Sequence, residues 1–372
     1  MSTFLELGVH KSFVKGLKEL GIKDPTPIQK ETIPLLLNAS TDFIGLAQTG
    51  TGKTAAYGLP VLNKINTSNS NIQALILSPT RELVQQIKKQ LFKFTKYVDG
   101  QIFVEGVYGG EKIEKQVKNL ERVTHIVVAT PGRLIDLIER GAINLREIKT
   151  LILDEADEML SMGFKQDLNR ILRYTNGARN TWLFSATMPE EIQRIIKTYM
   201  SPNAKRIEVN KNALVNANIT HRFVKTTIKE KIDVLIRFLE GRGSERGLIF
   251  CRTKAGTQNL TKLLKEEGFS VDALEGDMQQ REREKVMRMF KNESLQLLVS
   301  TDVSARGIDV HNLAFVLHHQ LPENIEYYTH RSGRTARGGK RGISLALILP
   351  NELERIYGMQ KALDIEFTEV NI

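Results

Sequence analysis

Cysteine and long apolar runs are nearly absent from this 372-residue chain. Cys251 is the only cysteine, so a disulfide within the chain is excluded and a reducing compartment is favoured. No apolar run approaches the roughly 18 residues that cross a membrane. The first residues also lack the basic and apolar regions of a signal peptide. We therefore expect a cytoplasmic protein that does not bind a membrane.

Aromatic residues make up only 6% of the chain, so base stacking should not dominate any binding of a nucleic-acid strand. Basic residues exceed acidic ones, which gives a formal net charge of +10. A positive protein attracts polyanions such as nucleic acid through their phosphates. Charge alone leaves the partner open, because many basic proteins bind no nucleic acid.

The chain is too long for one ordinary hydrophobic core, which predicts two domains. Short apolar runs typical of strands alternate with helical patterns, first over residues 43–199 and again over 248–363. Such alternation predicts an α/β fold with parallel sheets covered by helices on both faces. A change in composition after residue 201 places the first domain at 1–209, a linker at 210–219 and the second domain at 220–372.

A glycine-rich segment after the first predicted strand has the pattern of a phosphate-binding loop. The segment comprises Ala47, Gln48, Thr49, Gly50, Thr51, Gly52, Lys53 and Thr54. Its glycines let backbone N–H groups surround an anion, and the helix that follows points its positive end at phosphates. Lys53 is suited to contact the outer phosphates, and the Thr54 hydroxyl to help hold Mg²⁺. Ala47 stands where the strict pattern has glycine, and the alternative is a glycine-rich turn that happens to contain a lysine.

A second apolar strand, at residues 151–153, ends in carboxylates. A carboxylate at the end of a strand beside a phosphate-binding loop is suited to Mg²⁺, which makes Asp154 a candidate metal ligand. Glu155 is suited to orient and deprotonate the water that attacks a phosphoryl group. The alternative is an acidic start of a helix, which the helix dipole also favours.

The run Asp-Glu-Ala-Asp at 154–157 and the phosphate-binding loop together resemble the DEAD-box family of ATP-dependent RNA helicases. Other motifs of that family follow in the family's order over nearly the whole chain. The resemblance implies two tandem RecA-like domains, each a mostly parallel sheet with helices on both faces. It also implies ATP and Mg²⁺ as cofactors, and RNA bound through its backbone with little sequence specificity. Specificity would then come either from protein partners or from a further segment of a longer protein.

The resemblance also assigns roles to individual residues. Phe4, Gln29 and Asp309 correspond to nucleotide-site residues, with Gln29 at the adenine and Asp309 at the ribose. Arg334 and Arg337 correspond to arginine fingers, which stabilise charge on the γ-phosphate. Residues of the motif that couples hydrolysis to unwinding are Ser185 and Thr187. Residues implied to contact RNA are Pro79, Thr80, Arg81, Gly110, Thr130, Gly132, Arg133, Arg283 and Thr301.

Plainer interpretations exist for several of these residues. Gln29 can be an ordinary glutamine on a helix surface, and Thr80 and Thr130 can cap the helices that follow them. Arg334 and Arg337, three residues apart, can belong to a solvated basic helix face. At the level of the whole chain, an ATP-gated RNA clamp with little unwinding would have the same motifs as a helicase. A translocase acting on DNA is a third hypothesis.

Three positions depart from the family pattern, and one of them, Ser304 in place of a common alanine, is expected to change little. Ile22 stands where an aromatic residue often packs on adenine, which predicts weaker ATP binding. Glu275 stands where histidine is common, which predicts a change in the RNA contacts near Arg283. Because the arginine fingers and the phosphate-binding loop belong to different domains, the family's mechanism requires the domains to close on ATP and to bend the bound strand.

Overall fold

A computed structural model describes residues 3–48, 50–175, 177, 179–209, 217–305, 310, 313–336 and 340–372. Three candidate site residues, Thr49, Asp309 and Arg337, lie outside these ranges. Most of the predicted linker, residues 210–216, also lies outside them, so the linker stays a prediction. The chain divides into two compact units, residues 1–209 and 210–372.

The first unit is built on a seven-stranded sheet in which every neighbouring pair of strands is parallel. Its strands are β1 (Phe43–Leu46), β2 (Ala74–Leu77), β3 (Val104–Val107), β4 (Ile126–Ala129), β5 (Thr150–Leu153), β6 (Asn180–Ser185) and β7 (Lys205–Glu208). The order across the sheet is β3-β4-β2-β5-β6-β1-β7. Its helices are α1 (Lys11–Glu19), α2 (Pro27–Asn38), α3 (Lys53–Asn63), α4 (Arg81–Phe94), α5 (Ile113–Leu120), α6 (Pro131–Glu139), α7 (Ala156–Ser161), α8 (Lys165–Tyr174) and α9 (Glu190–Tyr199).

The central strands of this sheet are apolar on both faces. Every residue of β1, β2, β4 and β5 is buried, as expected when helices cover both sides of a parallel sheet. Successive side chains enter different cores: Ile152 packs in one, whereas Leu151 and Leu153 pack in the other. This packing explains why the strands appear in the sequence as continuous apolar runs rather than as alternating patterns.

The second unit repeats the arrangement with a second parallel sheet of seven strands. Its strands are β8 (Ile219–Lys225), β9 (Gly247–Phe250), β10 (Val271–Leu274), β11 (Leu297–Ser300), β12 (Phe315–His318), β13 (Gly342–Ile348) and β14 (Phe367–Glu369). The order is β10-β11-β9-β12-β13-β8-β14. Its helices are α10 (Lys231–Glu240), α11 (Lys254–Glu266), α12 (Gln280–Lys291), α13 (Asp302–Ala305), α14 (Ile325–Ser332) and α15 (Leu353–Leu363), with a 3₁₀ turn at Pro350–Glu352.

The predicted parallel α/β architecture is confirmed, but the sequence pattern missed β8 and β14. β8 alternates buried residues such as Phe223 with half-buried polar ones such as Arg222, so it shows no apolar run. β14 has only three residues and lies at the edge of the sheet. Among the described residues, no helix is long and apolar enough to cross a membrane.

Gly247 offers a test of packing in the second unit. A Cβ atom at this position of β9 would lie 2.1 Å from two ring atoms of Phe315, a fully buried residue. We expect Gly247→Ala to lower the free energy of unfolding of this unit by about 1–3 kcal/mol. Gly358→Ala is the matched control, because a Cβ atom there meets open space on α15. The control should raise the free energy of unfolding by about 0.5–1 kcal/mol.

Urea unfolding followed by two signals measures this effect. Trp182 is the only tryptophan and lies in the first unit, so its fluorescence reports on that unit, whereas far-UV circular dichroism reports on both. Gly247→Ala should shift the second-unit part of the dichroism transition and leave the fluorescence transition in place. Unchanged dichroism would contradict the close approach to Phe315.

Candidate nucleotide-hydrolysis site

The candidate site lies at the carboxyl edge of the first sheet. β5, β6 and β1 are neighbouring strands there. Asp154 directly follows β5, Ser185 is the last residue of β6, and Ala47 directly follows β1. The backbone ties these ends together, since the Ala47 amide donates to the Ser185 carbonyl at 3.0 Å. Ligands of parallel α/β sheets bind at this edge, because the loops that follow the strands converge on it.

The described part of the phosphate-binding loop is held by its own contacts. Gly50 and Gly52 have φ angles of +81° and +90°, which only glycine adopts readily. Thr51 Oγ1 donates to the Gln48 carbonyl at 2.7 Å, and Lys53 Nζ donates to the Ala47 carbonyl at 3.0 Å. α3 begins at Lys53, so its N-terminus follows the loop directly. The buried ammonium of Lys53 thus has a neutral partner that a phosphate oxygen can replace.

Gln29 links this loop to α2. Its Oε1 accepts from the Thr26 amide at 3.0 Å, and its Nε2 donates to the Gly52 carbonyl at 3.0 Å. The side chain is therefore buried between two backbone segments rather than lying on a helix surface. The oxygen and the nitrogen of this side-chain amide can each form one more hydrogen bond, which is compatible with adenine binding. Contact with adenine stays a prediction.

The other residues near the predicted adenine position belong to the hydrophobic core. Phe4 is 2% exposed and packs in the same core cluster as α1 and α2 residues such as Phe13 and Ile28. Ile22 is half-buried and packs against that cluster. The assignment of Phe4 to the nucleotide and the effect of Ile22 on ATP binding both stay predictions.

Asp154 is buried and has an unusual hydrogen-bonding state. Its Oδ2 accepts from the Tyr57 hydroxyl at 2.9 Å, whereas its buried Oδ1 has no hydrogen-bond partner among the described residues. Burial raises the pKa of Asp154, while the charge of Lys53 and the hydrogen bond from Tyr57 act in the opposite direction. Since an unpartnered buried carboxylate oxygen is unfavourable, this atom points to a ligand that the protein itself does not supply.

Mg²⁺ fits this arrangement. Among the described residues no group of three histidine, cysteine, aspartate or glutamate side chains could hold a metal ion. Mg²⁺ does not need such a group, because it is usually bound by one or two protein oxygens together with waters and substrate phosphates. The free Oδ1 of Asp154 and the hydroxyl of Thr54, at the start of α3, are oxygen donors of the required kind.

Glu155 has a strained backbone. Its φ angle of +50° lies in the left-handed region, which non-glycine residues rarely adopt, and its side chain is 7% exposed. It occupies the N-cap position of α7, directly after Asp154. Strain of this kind is retained where the surrounding structure holds it, and it occurs often at functional sites.

Asp157 is a residue of this site that the sequence analysis did not select. Its Oδ2 accepts from the amides of Ala186 and Thr187 and from the Thr187 hydroxyl, at 3.2, 2.8 and 2.8 Å. Its own amide donates to Ser185 Oγ at 3.3 Å. The predicted coupling residues Ser185 and Thr187 are thus held directly by the last acid of the Asp-Glu-Ala-Asp run. Membership of that run was the signal that could have identified it.

The residues predicted to contact RNA in the first unit follow the carboxyl ends of β2, β3 and β4. These residues are Pro79, Thr80 and Arg81 after β2, Gly110 after β3, and Thr130, Gly132 and Arg133 after β4. Thr80 Oγ1 accepts from the Leu83 amide at 3.3 Å and so caps α4, as the plainer interpretation proposed. Thr130 occupies the N-cap position of α6 but makes no side-chain cap bond.

Two arginines of this group have different environments. The guanidinium of Arg81 lies over Gly110, where a Cβ atom would come within 2.3 Å of its Nη1. The Arg133 side chain is 12% exposed, and its Nη1 donates to the Glu111 carbonyl at 3.1 Å and to Gln116 Oε1 at 3.0 Å. Arg133 therefore joins α6 to α5 and the segment before it, whereas Arg81 and Gly110 form one local surface.

In the second unit the candidate residues gather around the end of β11, where Thr301 lies. Arg283 on α12 donates through Nη2 to the Ser304 carbonyl at 2.8 Å. Arg331, which the sequence analysis did not assign, binds both carboxylate oxygens of Asp302 at 2.5 and 2.7 Å and is 2% exposed. This ion pair fixes α14 against α13.

Arg334 and Glu275 complete the second-unit positions. Arg334 follows the end of α14, is 7% exposed, and donates through Nε to the His330 carbonyl at 3.2 Å. Glu275 accepts from Gln258 Nε2 at 3.0 Å and from the Asp277 amide at 2.6 Å, so it orders its own loop. Its predicted effect near Arg283 stays a prediction.

The fold and the site together indicate a class of protein. A parallel sheet with a phosphate-binding loop after β1 and an acid pair after β5, followed by a second parallel α/β unit, is typical of nucleoside triphosphatases with two RecA-like domains. The hydrogen bonds of Asp157 add a direct link from that acid pair to the end of β6.

Comparisons with known proteins identify the family. The DEAD/DEAH box helicase family model matches residues 26–195, and the helicase conserved C-terminal domain matches residues 230–339. The DEAD-box ATP-dependent RNA helicase CshA of Geobacillus kaustophilus is 40% identical over 361 residues, which are 97% of this chain and 76% of the relative. The Listeria monocytogenes helicase CshA is 43% identical over 355 residues, 95% of this chain and 67% of the relative.

Solved structures agree with this assignment. The S. cerevisiae protein Dbp5, bound to RNA and ADP BeF3, matches with a TM-score of 0.91 at 31% identity, over 100% of this chain and 96% of that one. Mss116p, bound to single-stranded RNA and AMP-PNP, matches with a TM-score of 0.89 at 29% identity, over 100% of this chain and 80% of that one. The chain belongs to the DEAD-box family of ATP-dependent RNA helicases.

Tyr57 provides a test of the site. Its fully buried hydroxyl donates to Asp154 and holds the carboxylate so that Oδ1 stays available. Tyr57→Phe removes this donor, and hydrogen bonds to charged groups contribute about 1.5–3 kcal/mol. We expect the affinity for Mn²⁺ in the presence of ADP, measured by electron paramagnetic resonance, to fall about tenfold. The Mg²⁺ concentration for half-maximal ATP hydrolysis should rise by a similar factor.

Tyr174→Phe is the control, because Tyr174 is 52% exposed on α8. It should leave both values unchanged. A Tyr57→Phe protein that melts at a lower temperature but binds Mn²⁺ normally would show that Tyr57 serves only the core.

Proposed function

We propose that this chain hydrolyses ATP on its first unit and uses the cycle to unwind short RNA duplexes locally or to remodel RNA–protein complexes. The observation that carries the proposal is the set of buried charges at Lys53, Asp154 and Asp157, in which Lys53 lowers the pKa of Asp154 and Asp157 raises it. It supports a site in which a charged ligand at the phosphate-binding loop affects the acids after β5 and, through Asp157, the end of β6. A cytoplasmic location stays a prediction.

Phosphate binding begins with an exchange of partners at Lys53. Its ammonium leaves the Ala47 carbonyl for the outer phosphates, where it stabilises more negative charge than a neutral carbonyl carries. The N-terminus of α3 and the amides of the glycine-rich loop bind the remaining phosphate oxygens. Gln29, which holds the Gly52 carbonyl, couples the same loop to adenine, and Asp309 contacts the ribose.

Hydrolysis uses the acids after β5. Asp154 and Thr54 would hold Mg²⁺, and the metal ion would neutralise charge on the phosphates. Glu155 orients the attacking water and accepts its proton, for which its position next to Asp154 is suitable. Arg334 and Arg337 stabilise the charge that develops on the γ-phosphate. Because these arginines belong to the second unit, hydrolysis requires the two units to approach each other, and ATP then acts as a ligand of the closed state.

RNA binds through backbone contacts to residues of both units. Arg81, with Gly110 beneath its guanidinium, offers charge and exposed backbone at the carboxyl edge of the first sheet. Thr301 and Arg283 offer the corresponding contacts in the second unit. Such contacts position a strand without reading its sequence, and 2′-hydroxyl contacts would distinguish RNA from DNA. Closure bends the bound strand, so that a duplex cannot stay paired.

Glu155→Gln tests the role assigned to Glu155. The substitution keeps the shape of the side chain but removes the base, so ATP and RNA binding should persist while turnover falls by about a hundredfold or more. Steady-state phosphate release and equilibrium binding of labelled AMP-PNP and RNA measure the two effects. Glu190→Gln, at a 79% exposed side chain on α9, should leave turnover unchanged. Unaltered turnover in Glu155→Gln would refute Glu155 as the base.

ATP hydrolysis with single-stranded RNA, with DNA of the same sequence and without nucleic acid tests the function as a whole. We expect RNA to raise turnover by about tenfold or more and DNA to have little effect. Equal stimulation by both would contradict the RNA assignment. The time that RNA stays bound after one turnover then separates a helicase, which releases the strand within the cycle, from an ATP-gated clamp, which keeps it for minutes.

A further inference from the structure

A groove runs along the free edge of the first sheet. Within the described ranges, β3 is the outer strand of that sheet and pairs only with β4. Two adjoining cavities of about 740 and 370 Å³ lie beside it and share Phe92 and Val104 in their walls. Residues of α1 and α4 close the larger cavity, and residues of α4 and α5 close the smaller one. We call the two cavities together the β3 groove.

Exposed aromatic side chains flank this groove. Phe92, which lines both cavities, is 69% exposed, and Phe103 in the larger cavity is 40% exposed. A single exposed apolar side chain is common on protein surfaces, whereas exposed apolar side chains grouped beside a cavity are typical of an interaction site. Aromatic residues next to a pocket that admits a side chain are typical of the centre of a protein–protein interface.

The backbone of β3 leaves polar groups on its outer side. The carbonyls of Phe103 and Val107 accept from Ile126 and Thr130 on the β4 side, at 3.1 and 3.0 Å. Because backbone groups alternate in direction along a strand, those of Val104 and Gly106 point toward the free edge. A free strand edge is a template for an added extended segment.

The charges in the groove favour a peptide over RNA. Lys88, Lys96 and Lys115 are each paired with a glutamate of the groove walls, at 3.0, 2.7 and 2.5 Å. Because Glu105, Glu19 and Glu111 neutralise these lysines, none of the three positive charges is available to a continuous phosphate backbone.

Two lysines of α4 remain available. Lys89 and Lys93 line the groove beside Phe92, and the described part of the chain offers neither of them an ion-pair partner. Two isolated positive charges next to an apolar cavity match an acidic residue on either side of an apolar anchor. They do not match a run of phosphates.

We propose that the β3 groove docks an extended segment of a partner protein, in which acidic residues flank an aromatic or aliphatic anchor. The anchor enters the larger cavity beside Phe92 and Phe103, the acids face Lys89 and Lys93, and the backbone pairs with the edge of β3 at Val104. The larger cavity lies at the amino end of β3, which follows the segment 98–103. The nucleotide loop lies at the opposite, carboxyl edge, so the segment and ATP can bind together.

The test uses the full chain and a phage-displayed library of random 12-residue peptides. Enriched peptides are synthesised with a fluorescent label, and their dissociation constants are measured by anisotropy. We expect them to combine acidic residues with Phe, Trp or Leu. Phe92→Ala should raise the dissociation constant by tenfold or more, and Lys93→Glu should raise it severalfold. Tyr174→Ala, at a 52% exposed residue of α8, is the control and should have no effect.

Three outcomes would overturn the proposal. The first is a library that yields no enriched peptide. The second is a set of peptides whose dissociation constants are unchanged by Phe92→Ala. The third is a labelled single-stranded U10 RNA that competes with the peptides and loses affinity in Phe92→Ala, since the groove would then belong to RNA. RNA-stimulated ATP hydrolysis of Phe92→Ala should match the unaltered protein, so failure of the groove and failure of the proposed function are distinguishable.

Discussion

The parallel pairing of fully buried strands is the constraint on which the rest of this protein depends. A parallel sheet needs a crossover after every strand, so helices cover both faces and all carboxyl ends meet at one edge. In the first unit this edge brings together segments that are far apart in sequence, after β1, β5 and β6. Burial on both faces makes the edges of the sheet the places where polar chemistry can occur. The candidate nucleotide site lies at the carboxyl edge, and the β3 groove lies at the lateral edge.

The candidate nucleotide site contains buried charged side chains, and only some of them have complete hydrogen bonding within the protein. Lys53, Asp154 and Asp157 are nearly buried, and burial of an isolated charge is unfavourable. The Asp157 carboxylate is compensated by three hydrogen bonds that it accepts from Ala186 and Thr187. Lys53 donates a hydrogen bond to one carbonyl, and Asp154 accepts one from the Tyr57 hydroxyl. The other carboxylate oxygen of Asp154 has no partner in the part of the chain that the structure describes. The protein therefore completes the surroundings of one acid by itself and leaves the other to a ligand, as expected where a metal and a phosphate alternate between bound and released.

Much of this arrangement could be predicted from the sequence, because glycines at a loop and acids after an apolar strand have few other uses together. The parallel α/β fold followed from continuous apolar runs, whereas β8 was missed because its buried residues alternate with polar ones. Tyr57 could not be predicted, since a tyrosine in an apolar helix has the pattern of a core residue and only the structure shows its hydroxyl at Asp154. Arg133 shows the opposite case, in which a motif residue also joins two helices of its own unit.

The different hydrogen bonding of Asp154 and Asp157 indicates how nucleotide binding can act on residues outside the site. Asp154 ends β5 and Asp157 lies in the first turn of α7, with the strained Glu155 between them. A ligand that draws Asp154 toward the phosphates acts on the start of that short helix, whose next acid is already bonded to Thr187. Because the Asp157 bonds are complete, α7 and the end of β6 must move together or the bonds must break. Leaving the buried Asp157 carboxylate without partners would cost several kcal/mol, so joint movement is favoured.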